Sequence, residues 1–239
     1  NDNTPTGGAP HAWDEGWAFY AGSLIAATAA DAARSSMASQ EGILIWELAE
    51  KRGYDFGTTH STGPATVNVM LLAEFIEGRD LIIAGKCLEA EPVIDNIIKQ
   101  MSIPLIQGTL KYAYRADPAI AGEDCTADAA NTALTASDAC VKSWADAWAF
   151  AAAVLPRIDQ CSSTAAKTVK DNLDIAAAAP MKDGFAAVQS AIESTYACLG
   201  ITCADVGTRS GFAACTDPTN NDWGTGNGWC MSDLDKMIG

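Results

Sequence analysis

Histidine is scarce in this 239-residue chain, where His11 and His60 are the only two. Neither stands in an H-E-x-x-H pattern, and no G-x-S-x-G elbow or Gly-rich phosphate loop occurs. Zinc-protease, serine-hydrolase and P-loop chemistry therefore have no support. The ferritin-like pattern of Glu-x-x-His on two helices is missing as well, and the Glu-x-x-Glu spacings at Glu47 to Glu50 and Glu74 to Glu77 are common in any helical protein. Basic residues are few, with 15 Lys and Arg against 30 Asp and Glu and a net charge of −15. Binding a phosphate backbone or an anionic bilayer needs clustered Lys and Arg, so no nucleic-acid or membrane partner is expected. No uncharged apolar run approaches the ~18 residues of a membrane span. There is no Asn-x-Ser/Thr sequon, and the chain opens on Asn1 without a charged-apolar-small leader. It reads as a processed or truncated soluble chain whose secretion signal is already gone. No strand periodicity is found, so the fold class is all-α.

What is present starts with a motif that occurs twice. Trp13-Asp14-Glu15-Gly16-Trp17-Ala18-Phe19 near the start is matched by Trp144-Ala145-Asp146-Ala147-Trp148-Ala149-Phe150. Each copy has two tryptophans four residues apart, Ala-Phe after the second, and a carboxylate two residues after the first. An internal duplication explains this better than short repeats of 20 to 50 residues or so. The expected architecture is a duplicated helical bundle with a first repeat over 1–118, a second over 119–203 and a Cys-rich tail over 204–239. Apolar residues at 49% are ample for a packed core.

Eight cysteines lie at Cys87, Cys125, Cys140, Cys161, Cys198, Cys203, Cys215 and Cys230, mostly at loop-like or helix-end positions. A zinc site would want paired CxxC spacing or neighbouring histidines, so up to four disulfides and an oxidising compartment are the reading. Cys125 with Cys140, a short loop before the second motif, is the one pairing put forward. The tail after Thr202 is loop-rich and is expected to need disulfides to stay ordered.

Helices are expected over 10–24, from Ser39-Gln40-Glu41 through Glu50 and ending before Gly53, from Pro64 to Cys87, and from Pro92 to Arg115 with a kink at Pro104. After a connector over 116–139, further helices are expected near 141–158, 163–178 and 183–199. On a wheel of about 100° per residue, Trp17, Tyr20 and Leu24 fall within roughly 40° of Trp13, a core stripe. His11, Asp14 and Glu15 fall on the opposite arc, which continues through Ala18, Ala21, Gly22 and Ile25. A solvated arc would carry Lys, Glu or Gln there, so a second helix is expected against it, and the carboxylates are expected to be buried. Asp146, followed by Ala149, Ala152 and Ala153, reads the same way. A buried charge needs a counter-ion or a metal. His11, Asp14 and Glu15 have the i, i+3, i+4 spacing that lets imidazole and carboxylate converge on one cation, and a structural salt-bridge network is the alternative. The second copy has Lys142 and Ala145 where the first has His11 and Asp14, so at most one complete site exists. Glu74, on an apolar wheel side with Val67, Met70 and Leu71, is another candidate buried acid, with salt bridging to Arg79, Lys111 or Arg115 as its alternative. Glu47 and Glu50 share the polar stripe of the second helix and read as solvated. Tyr20, Tyr54, Tyr112 and Tyr114 could ligate ferric ion, but core packing is the plainer reading of each.

Three segments, His11-Ala-Trp-Asp-Glu-Gly-Trp-Ala-Phe-Tyr-Ala-Gly22, Gln107-Gly-Thr-Leu-Lys-Tyr-Ala-Tyr-Arg115 and Trp144-Ala-Asp-Ala-Trp-Ala-Phe150, resemble the secreted algal iron-assimilation proteins induced by low iron or high carbon dioxide. These are distantly imelysin-like, and the resemblance covers roughly residues 8–200. It implies an all-helical, duplicated protein of the periplasmic or cell-wall space that helps the cell acquire iron and has no enzymatic activity. A metal ion and a cell-surface protein are the candidate partners. His11, Asp14 and Glu15 match the family's first motif, and Asp146 sits where the second carries an acid. The imelysin G-x-H-x-x-E signature is not reproduced, with Ala9 and Asp14 at its outer positions. The leading reading is an iron-binding protein with His11, Asp14, Glu15, Glu74 and Asp146 as candidate ligands. Its rivals are a structural or interaction protein with salt-bridged acids and, further off, a metalloenzyme.

Overall fold

A computed structural model describes residues 8–22, 44–61, 63–120, 122–125 and 137–215. Its elements are α1 (Gly8–Ala21), α2 (Ile45–Phe56), α3 (Thr66–Ile83), α4 (Cys87–Ala116), α5 (Asp138–Cys161), α6 (Ser163–Leu173), α7 (Phe185–Glu193) and two single turns, α8 (Tyr196–Leu199) and α9 (Cys203–Val206). Among the described residues there is no strand, only an isolated bridge between Thr59 and Ala65. The class is all-α, as the absence of period-two patterning implied.

The long helix α4 is the axis, packed against α2, α3, α5, α7 and α9. It begins five residues before the expected start and runs through both Pro92 and Pro104. An interior proline costs about 3 kcal/mol or more, but Ile103, Pro104, Ile106 and Gln107 are all buried between neighbouring helices, and that burial outweighs the lost bond. One cluster of buried side chains extends from Tyr20, Trp46 and Leu71 through Ile106 to Val154, Ile158, Val188 and Ile192.

Helix α2 passes through Gly53 and ends at Phe56, where the sequence pointed to a stop. The reason is close packing, because a Cβ on Gly53 would lie 2.8 Å from Cβ of Ala65. Only a glycine lets the helix approach the turn into α3 so closely. The proposed start of this helix at residues 39–43, and Leu24 of the α1 stripe, lie outside the described residues.

Side-chain caps fix the second half. The hydroxyls of Ser137 and Ser162 accept from the backbone N–H of Cys140 (3.2 Å) and Ala165 (3.2 Å) at the starts of α5 and α6. Buried Asp117, just past α4, accepts from the Phe185 N–H at 2.7 Å and so ties the end of α4 to the start of α7.

Three disulfides join Cys125 to Cys140, Cys161 to Cys198, and Cys203 to Cys215. The first is the pairing put forward from the sequence. Cys87 is a free, half-buried thiol, and Cys230 lies outside the described residues, as does the tail beyond Cys215. The segment just after Thr202 has more than a disulfide to hold it. Phe212 packs against Phe185 (4.7 Å between ring centroids), Tyr114 (5.3 Å) and Phe56 (5.7 Å), and the Gln107 amide donates to the Val206 carbonyl at 2.8 Å.

Candidate metal centre

The tryptophan stripe of α1 faces inward. Trp13 packs on Phe75 (5.5 Å) and donates its indole N–H to the Phe75 carbonyl at 2.8 Å, while Trp17 packs on Phe75 (5.2 Å) and Trp46 (5.7 Å). Gly78 of α3 makes this approach possible, because a Cβ there would stand 2.1 Å from Trp13.

The opposite arc does not behave as expected. His11, Asp14 and Glu15 are exposed rather than buried, with side-chain exposures of 55% for His11 and 60% for Glu15. Alanine and glycine are as compatible with an open helix face as with a packed one, since Ala has the highest helix propensity and demands no burial. Ala21 is buried and Gly22 lies against Leu44 as expected, but Ala18 is exposed and the small residues did not identify a contact around His11, Asp14 and Glu15. His11 Nε2 stands 3.2 Å from Glu15 Oε1, so the i, i+4 spacing does bring imidazole and carboxylate together on the surface.

The second motif repeats this arrangement. Lys142 pairs with Asp146 at 2.5 Å, at positions equivalent to His11 and Glu15. Trp144 donates its indole N–H to the Leu173 carbonyl at 2.8 Å, as Trp13 does to Phe75. Phe150 lies against Gly108 as Trp13 lies against Gly78. The copies differ at the last aromatic, for Phe19 is 81% exposed whereas Phe150 stacks on Tyr112 with centroids 5.8 Å apart. Asp146 is half-buried rather than fully buried, and it has a basic partner of the kind expected as the alternative to a cation, Lys142 at i−4.

Glu74 is half-buried between α3 and α4. Desolvation raises its carboxyl above the usual range, with the Glu77 charge adding to that and Asn96 and Lys99 opposing it. Its neighbours are therefore not the bases expected, since Arg79 pairs with Asp80, Lys111 with Asp55, and Arg115 with Asp124. Among the described residues no three His, Cys, Asp or Glu side chains converge closely enough to hold a metal ion. The five candidate ligands are not gathered into one centre there.

Two polar clusters escaped the sequence reading. In the first, Tyr20 donates to Asn68 Oδ1 at 2.6 Å, and the Asn68 amide donates to Glu50 Oε1 at 2.6 Å and the Trp46 carbonyl at 3.0 Å. Glu50 also accepts from the Ala65 N–H at 2.9 Å, so it caps the turn into α3 instead of lying on a solvated stripe; Glu47 does pair outward, with Lys51. Burial, and secondarily the Glu50 charge, push the Tyr20 phenol well above its ordinary value. It stays protonated and donates, which is the opposite of what a ferric ligand needs. Tyr54, in contrast, is 83% exposed and packs in no core.

The second cluster surrounds the half-exposed ring of Tyr112. Arg52 of α2 is buried at 5% exposure, and one Asp55 carboxylate oxygen accepts from both Arg52 (2.9 Å) and Lys111 (2.7 Å). The i, i+3 spacing of Arg52 and Asp55 was visible in the sequence. The burial of Arg52 beneath α4, whose Lys111 lies 56 residues beyond Asp55, was not.

A family model described as low iron-inducible periplasmic protein, Fea1, matches residues 1–229. No curated protein and no solved structure matches the chain.

Proposed function

The chain belongs to the low iron-inducible periplasmic protein family, and from that premise we propose that it binds iron without catalysing a reaction and so assists iron assimilation. As a member of that family it is a periplasmic or secreted protein, and among the described residues no helix is long and apolar enough to cross a membrane. The observation that carries the iron reading is the preformed imidazole–carboxylate pair of His11 and Glu15, 3.2 Å apart on an open face of α1 with Asp14 beside it. One nitrogen and several carboxylate oxygens suit a hard or borderline cation such as iron. A two-donor pair on an exposed helix face leaves positions for water or for the ligands of an incoming iron chelate. Such a site favours uptake and release over storage. Glu74 would act as an auxiliary acid, raising the local cation concentration, whereas Asp146 is taken up by Lys142.

The test is elemental analysis of the protein purified from its native source, beside Glu15→Ala. Stoichiometric iron in the first and its loss in the second, with the helical signal unchanged, is the expected result. No iron above background in the native protein would overturn the reading.

A second reading, a structural or interaction protein whose acids bind no metal, is favoured by the pairing of Glu15 with His11, Asp146 with Lys142 and Asp55 with Lys111. It predicts no iron in either sample and, because the His11–Glu15 pair is exposed, a loss of only about 0–1 kcal/mol in Glu15→Ala.

A further inference from the structure

We propose that the Tyr112 ring marks a binding site for a small oxyanion, centred on the guanidinium of Arg52. Four cations lie around this one ring: Arg52 (5.4 Å from its centroid), Lys111 (5.6 Å), Lys142 (5.6 Å) and Arg115 (6.0 Å). A chain with 15 Lys and Arg among 45 charged residues has placed more than a quarter of its bases in one spot. They come from α2, α4 and α5, so the folded bundle assembles the cluster.

Four carboxylates, Asp55, Glu123, Asp124 and Asp146, equal the four cations in number but are unevenly shared among them. Arg115 has Asp124 and, more distantly, Glu123, and Lys142 has Asp146. Arg52 and Lys111, however, share a single oxygen of Asp55, which leaves that partly buried triad with one positive charge in excess of its own carboxylate. The second observation is independent of the charge count. Nε and Nη1 of Arg52 are buried and have no acceptor among the described residues. A ring face attracts a cation as a whole, but it does not supply the in-plane acceptors that guanidinium N–H groups require. Leaving them unmet carries the desolvation penalty of a charged donor.

An anion that brings both a negative charge and directional oxygen acceptors answers both observations. Nε and Nη1 point away from each other, so a small anion would accept from one of the two. Carboxylates, carbonate and phosphate share that chemistry, and Arg is the side chain best suited to it. This site stands apart from the iron reading, since none of its residues belongs to the α1 face.

The experiment is calorimetric titration and thermal unfolding of the whole purified protein with inorganic phosphate, bicarbonate or acetate, each against sodium chloride of equal ionic strength. At least one of the three is expected to bind saturably, one per chain, and to raise the unfolding temperature above the chloride control. Which one does so identifies the ligand. Arg52→Gln should weaken it by at least about tenfold. Asp55→Asn should tighten it, because the competing carboxylate charge is gone while Arg52 and Lys111 remain; a purely structural salt bridge would not give that sign. Should Arg52→Gln fail to fold, Lys142→Ala, at a side chain 70% exposed, is expected to weaken binding several-fold. No binding beyond the chloride control by any of the three anions overturns the proposal, as does an affinity unchanged in both Asp55→Asn and Lys142→Ala.

Discussion

Replacing Asn68 by Ala should destabilise the protein more than most single changes, and the structure sets the size. Asn68 is fully buried and serves three partners: it accepts from Tyr20 and donates to Glu50 and to the Trp46 carbonyl. With Ala, the Tyr20 hydroxyl is left buried without an acceptor, at a cost of about 1–3 kcal/mol. Glu50 loses a close donor but keeps the Ala65 N–H and partial access to water, which makes its share about 1 kcal/mol. The Trp46 carbonyl lies inside α2, where helical geometry supplies another donor, so its share is the smallest. With the void left by the removed amide, the sum is about 3–5 kcal/mol. That would lower the unfolding midpoint by roughly 6–20 °C in a chain of this size. The assay is thermal and urea unfolding with the disulfides intact. Tyr20→Phe removes the same hydrogen bond from the other side, so a double-mutant cycle should return a coupling above about 1 kcal/mol. A loss below about 1 kcal/mol in Asn68→Ala would refute the reasoning, because it would mean that water reaches these groups in the folded protein.

Gly78→Ala should cost about 1–3 kcal/mol, since the new Cβ would stand 2.1 Å from the Trp13 ring and α1 must shift; unfolding together with Trp fluorescence checks it. Alkylation of denatured, unreduced protein should spare Cys125, Cys140, Cys161, Cys198, Cys203 and Cys215, and more than two adducts per chain would contradict the three disulfides. Asp171, hydrogen-bonded by Lys167 and Lys182, is held down to about 2, so its contribution to stability is complete above the ordinary value of 3.8 and is lost as pH falls toward 2. Asp171→Asn should flatten that part of the acid limb, and a carboxyl titration by NMR would show the midpoint directly. Glu74 has the opposite sign: its raised carboxyl makes the folded state less favourable as pH rises past the ordinary 4.5, so Glu74→Gln should give a small gain that appears only above that pH.

The sequence was most readable where local chemistry decides the outcome. The helix-period stripes of Trp13, Trp17 and Tyr20, the absence of alternating patterns, and the short loop between Cys125 and Cys140 all depend on near neighbours. What could not be read depends on partners far along the chain. Asn68 is buried because Tyr20 lies 48 residues before it, and Arg52 because α4 brings Lys111 and Tyr112 over it. Gly53 looked like a helix stop, but its role is set by Ala65. The α1 arc failed for a different reason. Alanine and glycine record only that bulk is absent, and the pattern is the same whether helix or water lies opposite.

The two motif helices show how one scaffold can hold two chemistries. Both place a base four residues before an acid and anchor the helix through an indole bonded to a backbone carbonyl, so the pairs occupy equivalent positions. They differ in the base. A lysine ammonium has three donors and no lone pair, so with Asp146 it can only close an ion pair. A neutral imidazole has a lone pair at one ring nitrogen, so with Glu15 it can turn outward to a cation. Lys142 also stands among the cations around Tyr112, where its charge adds to an anion-attracting field. On the proposals made above, a single exchange of His for Lys between the copies would separate a cation-seeking face on α1 from an anion-seeking one between α2, α4 and α5. An acidic protein that handles both a metal ion and a small anion would need the two kept apart, because a carboxylate ligand set and a guanidinium cluster at one place would neutralise each other.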